Sequence, residues 1–154
     1  MTSTPQERRA LVAMSVGLAL TVLMTLVPFL DGGTRLLADH VRTGYPSYGQ
    51  AQVDAAVTTY QYLLAGVGVL GVAAWFWTMR AVRARRRWSR GAAVGAFALA
   101  VVVALTALLT PDTSGEAGLA PALGWAGLAP CVAGGIAVVL LWRAPRVSAG
   151  TRAA

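Results

Sequence analysis

The sequence holds one cysteine, one histidine and no lysine among its 154 residues. Each shortage closes off a class of chemistry. Cys131 has no partner for a disulfide or dithiol cycle within the chain, so thiol redox work would need thiols from another protein. His40, with only Asp39 beside it, falls short of the three or four nitrogen and sulfur ligands of a zinc site. Charge is missing from four long stretches. The runs 10–30, 60–79, 91–110 and 124–142 contain no Asp, Glu, Lys, Arg or His. Proton relays and ion routes in membranes are built on such groups.

What remains is strongly apolar. Hydrophobic residues make up 56% of the chain and the mean hydropathy is +0.61, too high for a soluble domain of this size. Each of the four runs is about 20 residues long, enough at about 1.5 Å per residue to cross a hydrocarbon core of roughly 30 Å. The expected fold is an all-α membrane protein, a bundle of four transmembrane helices, with residues 1–154 forming a single integral membrane domain. The first run reads as an uncleaved anchor. Its apolar core exceeds the roughly 7–15 residues of a signal peptide, and "LVPFLDGG" offers no small-x-small cleavage site.

Charge assigns the threading. All 13 basic residues are arginine. Arg8 and Arg9 precede the first run, the cluster from Arg80 to Arg90 lies between the second and third, and Arg143, Arg146 and Arg152 follow the fourth. Asp31, Asp39, Asp54, Asp112 and Glu116 occupy the other two loops. The positive-inside rule then places both termini and the middle loop in the cytoplasm, and the loop between the first two runs outside. The all-arginine, alanine-rich usage suggests a bacterial plasma membrane. Although the pI is 11.1, the charge is one juxtamembrane cluster. Arg83, Arg85, Arg86, Arg87 and Arg90 are therefore expected to contact anionic lipid, at about 1 kcal/mol each near the surface, and not nucleic acid.

The loop "LADHVRTGYPSYGQAQVD" gathers most of the polar character. Leu36, Leu37, His40 and Val41 share a helical face, which predicts a short surface helix over "TRLLADHVR" after a "DGG" turn. "TGYP" stops it. "SYGQ" reads as a capping box in which Ser47 and Gln50 open a helix of about 36 residues, roughly 54 Å, running through Met79 towards Arg83. His40, Tyr45 and Tyr48 are the candidate contact residues of this loop; no catalytic, cofactor or metal residue is assigned. The four tyrosines and Trp125 map to one interface, and Trp75, Trp77, Trp88 and Trp142 to the other, as aromatic belts.

Three motifs point to packing. "GVGVLG" (Gly66–Gly71) matches a dinucleotide fingerprint by spelling alone, since it sits mid-span with arginines where the acidic residue should be. Ala65, Gly68 and Gly71 in the second run and Gly134 and Gly135 in the fourth are small surfaces that let helices approach, and the two runs are expected to touch, within one protomer or between protomers. Pro130 predicts a kink in the fourth run. The order span, Asp loop, Pro, span, Trp, Arg occurs twice, a faint echo of two hairpins.

The small multidrug transporters match in size and span count, but they depend on an acidic residue in the first span, absent here. "HVRTGYP" (His40–Pro46), "VGVLGVAAW" (Val67–Trp75), "RRRWSR" (Arg85–Arg90) and "GLAPCVAGGIAVVLLWR" (Gly127–Arg143) resemble small uncharacterised four-span membrane proteins of actinobacteria. That resemblance implies the topology and carries over no functional residue. The leading functional expectation is a non-enzymatic interaction or accessory protein, packing with lipids, with itself or with another membrane protein. One alternative is a binding or carrier protein for a lipid or other hydrophobic molecule. Another is an enzyme with an outer-face site near His40.

Overall fold

A computed structural model of the chain describes residues 5–84, 86, 88–111 and 119–144. Arg85, Arg87, Asp112, Glu116, Arg146 and Arg152 lie outside the described residues. The elements are α1 (Pro5–Leu26), running into a 3-10 turn (Val27–Phe29), α2 (Asp31–Gly44), α3 (Gln50–Arg83), α4 (Ser89–Leu109), α5 (Pro121–Ala126) and α6 (Ala129–Arg143). The stretches Pro5–Phe29, Gln50–Arg83, Ser89–Leu109 and Pro121–Arg143 are each long and apolar enough to cross a membrane. Arginines 8, 9, 80, 83, 86, 90 and 143 gather at one end of the bundle, the basic end; α2 lies at the other, the capped end.

The four spans form a ring in the order α1, α3, α4, α6. α1 packs extensively on both α6 and α3, whereas α4 meets α6 and, more sparingly, α3. The α1–α3 seam is a series of exchanges. Gly68 faces Thr25, Gly71 faces Thr21, and on the opposite helix Gly17 faces Trp75. Met14 and Met79 continue the same antiparallel register into the basic-end core, with Ala10, Val82, Ala93, Ala137 and Leu141. The second and fourth spans meet through Trp75, whose ring edge lies beside Gly134, and not through the Gly68 and Gly71 faces. The Gly68 and Gly71 faces are filled by α1, and Gly134 and Gly135 receive the Phe97 ring of α4. A run of small residues shows where a helix leaves room; it carries no label for the neighbour that fills it.

Both ends are tied. At the basic end Arg90 Nη2 donates to the Ala144 carbonyl at 2.6 Å, satisfying the C-terminus of α6 with a cation. At the capped end the Pro28 carbonyl accepts from Thr34 Oγ1 (3.1 Å) and Gln61 Nε2 (2.8 Å), joining α1, α2 and α3. The expected "DGG" turn is instead the first turn of α2, with Gly33 buried against the Val27 carbonyl, where no side chain fits.

Two further expectations shift. Gly49, not Ser47, caps α3, and Gln52 Oε1 accepts from the Gly49 amide at 2.9 Å. Glycine has no side chain to complete a capping box, so only the return half forms. The fourth span is interrupted beside Pro130, at Gly127–Leu128 between α5 and α6, where both residues keep helical backbone angles. Pro130 falls in the first turn of α6, where its missing N–H costs no helical bond.

The seam makes a direct prediction. A Cβ on Gly68 would land on the Thr25 side chain, whereas one on Gly66 meets nothing within 4 Å. Gly68→Ala should cost roughly 1–3 kcal/mol, and Gly66→Ala should be neutral or stabilise by up to about 1 kcal/mol. Unfolding in mixed micelles reads both; equal effects would contradict the seam.

Candidate functional site

The ring does not close on itself. Between the spans lies a cavity of about 370 Å³. Its origin is the inward face of α4, where Ala93, Ala96, Ala100, Ala104 and Ala107 recur at helical spacing and all line the space. Alanine is too short to reach the opposite wall. Phe97 does so, stopping against Gly134 and Gly135, and Leu108 reaches Gly124 nearer the capped end.

The floor is Trp75. Its indole lies against Gly17 of α1, its far edge points to Gly134 of α6, and its Nε1 donates to Thr21 Oγ1 at 2.9 Å. The ring also packs on the basic-end core beneath. The sequence reading placed Trp75 in the interfacial belt with Trp77. Two residues apart on a helix they stand about 200° apart, so both cannot face the same way. Trp77 is 67% exposed and pairs with Trp88 at 6.5 Å between ring centroids, a belt position; Trp75 turns inward.

The roof is formed by Pro28, Leu119 and Leu123. Above it sits a second apolar cluster of Leu37, Val41, Val53 and Val57, against which Leu119, Leu123, Tyr45 and Tyr60 pack. α2 thus covers the end of the cavity.

The mouth is lateral. Of the residues lining the cavity, those that are exposed (Val67, Leu70 and Ala74 of α3 and Leu99, Ala100 and Val103 of α4) all belong to one pair of helices. These helices share core contacts at the basic end through Met79, Val82 and Ala93 and part above it. The opening faces sideways, where hydrocarbon would be.

Apart from the weakly donating Cys131 thiol, the donors of the wall are engaged within the protein. Thr21 donates to the Gly17 carbonyl (2.8 Å), Thr25 to Thr21 (2.7 Å) and Thr78 to Ala74 (2.8 Å), each one turn back along its own helix. Trp75 N–H is spent on Thr21. Among the described residues no buried side-chain nitrogen or oxygen lacks a partner. Cys131 is half-buried and lines the cavity.

The outer loop is assembled differently from its reading. α2 buries Gly33, Leu37 and Val41, leaving Leu36 exposed and His40 half-exposed on the flank. Asp39 and Asp54 do not join His40. Arg42 bridges Asp39 (3.4 Å) and Gln50 (2.9 Å), and Gln50 donates to Asp54 (2.7 Å), linking α2 to the start of α3 across an exposed surface. Tyr45 and Tyr48 stack at 4.7 Å across the turn that ends α2. Among the described residues no three His, Cys, Asp or Glu side chains converge for a metal. Of the arginine cluster, Arg83 and Arg86 are exposed, and Arg90 is engaged with Ala144.

No family model, curated protein or solved structure matches the chain.

The Trp75–Thr21 bond is measurable. Thr21→Val and Trp75→Phe should each destabilise the fold, with a coupling of about 0.6 kcal/mol in a double-mutant cycle, typical of interhelical hydrogen bonds in membranes. Strict additivity would show that the bond does not hold the indole.

Proposed function

We propose that this chain is a multi-pass membrane protein that binds one hydrocarbon chain of a bilayer lipid in the cavity between its spans. The observation that carries the reading is the lateral mouth between α3 and α4, opening onto an apolar wall whose threonine hydroxyls and indole N–H are all engaged within the protein. Water would find too few polar partners to occupy such a space. An empty void would forfeit dispersion contacts along its whole lining. A lipid tail arriving sideways restores those contacts and needs no polar recognition. A space of about 370 Å³ has room for a segment of an acyl chain.

Binding is favoured over a purely accessory role because the small-residue faces that motivated that role are occupied inside the chain. It is favoured over an outer-face enzyme because the carboxylates near His40 are committed to Arg42 and Gln50. The arginine distribution supports an orientation with the basic end in the cytoplasm of a bacterial cell, where Arg83 and Arg86 meet anionic headgroups. The mouth then lies near the middle of the bilayer.

Native mass spectrometry after gentle detergent extraction tests the proposal. One phospholipid-mass adduct per chain is expected, and Ala104→Phe, which fills the cavity from α4, should abolish it without unfolding the protein. A lipid-free chain in several detergents, above all one that self-associates, would return the argument to an accessory role.

A further inference from the structure

The floor of the cavity carries information about its ligand. Resting on the reading of the cavity as a lipid-chain site, we infer that Trp75 sets how long a chain the cavity accepts. Three observations converge on this residue. Its indole reaches from α3 to Gly17 on α1 and towards Gly134 on α6, so it crosses the interior instead of lining one wall. It lies at the junction between the cavity and the packed basic-end core, touching both. Its orientation is held by the N–H bond to Thr21, whose own hydroxyl is anchored to the Gly17 carbonyl.

A chain end entering from the mouth meets this ring. Past the ring the cavity runs on for only about one helical turn, to Met14, Thr78, Ala93 and Val138, which line its end against the basic-end core. A chain that is too short leaves a gap above the ring and loses contacts there. A chain that is too long must buckle or protrude from the mouth. The side chain of Trp75 therefore acts as a specificity-determining constriction, and Gly17 is the recess that lets it lie flat.

The two residues predict shifts of opposite sign. Trp75→Ala removes the constriction and opens the way to the end of the cavity. Gly17→Ala puts a Cβ onto the six-membered edge of the indole; the ring must then move off α1 into the cavity it lines, narrowing the way past it. The experiment exchanges lipid in the purified full-length protein for an equimolar series of phosphatidylglycerols with matched acyl chains from dodecanoyl to octadecanoyl. Retained species are then weighed by native mass spectrometry. The wild type should retain one chain length preferentially. Trp75→Ala should raise the ratio of long to short chains by roughly tenfold, and Gly17→Ala should lower it by a similar factor, the scale of penalty for forcing extra methylenes into a filled site. If Trp75→Ala does not yield folded protein, Trp75→Phe is expected to shift selection in the same direction by a smaller amount. A wild type that retains no phospholipid overturns the cavity reading itself. A wild type that retains phospholipid, with variants keeping its length profile, overturns only the role of Trp75.

Discussion

The exchange of glycine for side chain across the α1–α3 seam is the constraint on which the rest of the molecule depends. Between helices immersed in lipid there is no hydrophobic force to draw them together, because the tails are as apolar as leucine. Association must come from close contact, which requires one helix to withdraw its side chain wherever the other presents one. Gly68 and Gly71 withdraw for Thr25 and Thr21, and Gly17 withdraws for Trp75. Because the exchange runs in both directions, sliding one helix by a turn would set bulk against bulk. The register is fixed by sterics, and the indole N–H on Thr21 adds a directional contact to it.

The cavity is a consequence of this tight side. α1 is committed to α3 on one flank and to α6 on the other, and α4 is left to complete the ring with an alanine face. α4 is held at its basic end, through Ala93 and the Arg90–Ala144 bond, but its middle has nothing long enough to span the gap to α3. A stiff pair and a slack pair in one ring give an interior space with an opening on the slack side. The same asymmetry explains why the polar groups in the wall are self-satisfied. In a medium without water each hydroxyl must find an acceptor, and for Thr21, Thr25 and Thr78 the nearest is the carbonyl one turn back.

Much of the architecture was legible because membranes impose it. Run length and the absence of ionisable residues marked all four spans, and "SYGQ" announced the long α3 to within three residues of its start. What could not be read was partnership. Gly68 and Gly71 showed a place for a helix without saying which one. Trp75 passed for a belt residue because tryptophan near an arginine usually is one, although its spacing from Trp77 required one of the two to point inward. The alanine repeat of α4 was in view but silent, since an apolar residue facing a cavity and one facing lipid obey the same preference. His40 was noticed for its rarity; the contacts that organise its loop belong to Arg42 and Gln50 instead.

The length of α3 has a consequence for how the two halves of the molecule are held. With 34 residues it extends about 51 Å. Even tilted by about 40°, it outruns a hydrocarbon core of roughly 30 Å. Its first two turns, carrying Val53 and Val57, therefore stand where water reaches, and α2 is built on them. The Leu37, Val41, Val53 and Val57 cluster is an ordinary aqueous core of small size, held by exclusion of water. The bundle beneath is held by contact and hydrogen bonding alone. Stabilisation by water exclusion weakens on cooling, whereas steric interlock in lipid has no such dependence. The cover and the chamber it closes are thus two thermodynamic regimes joined along a single helix.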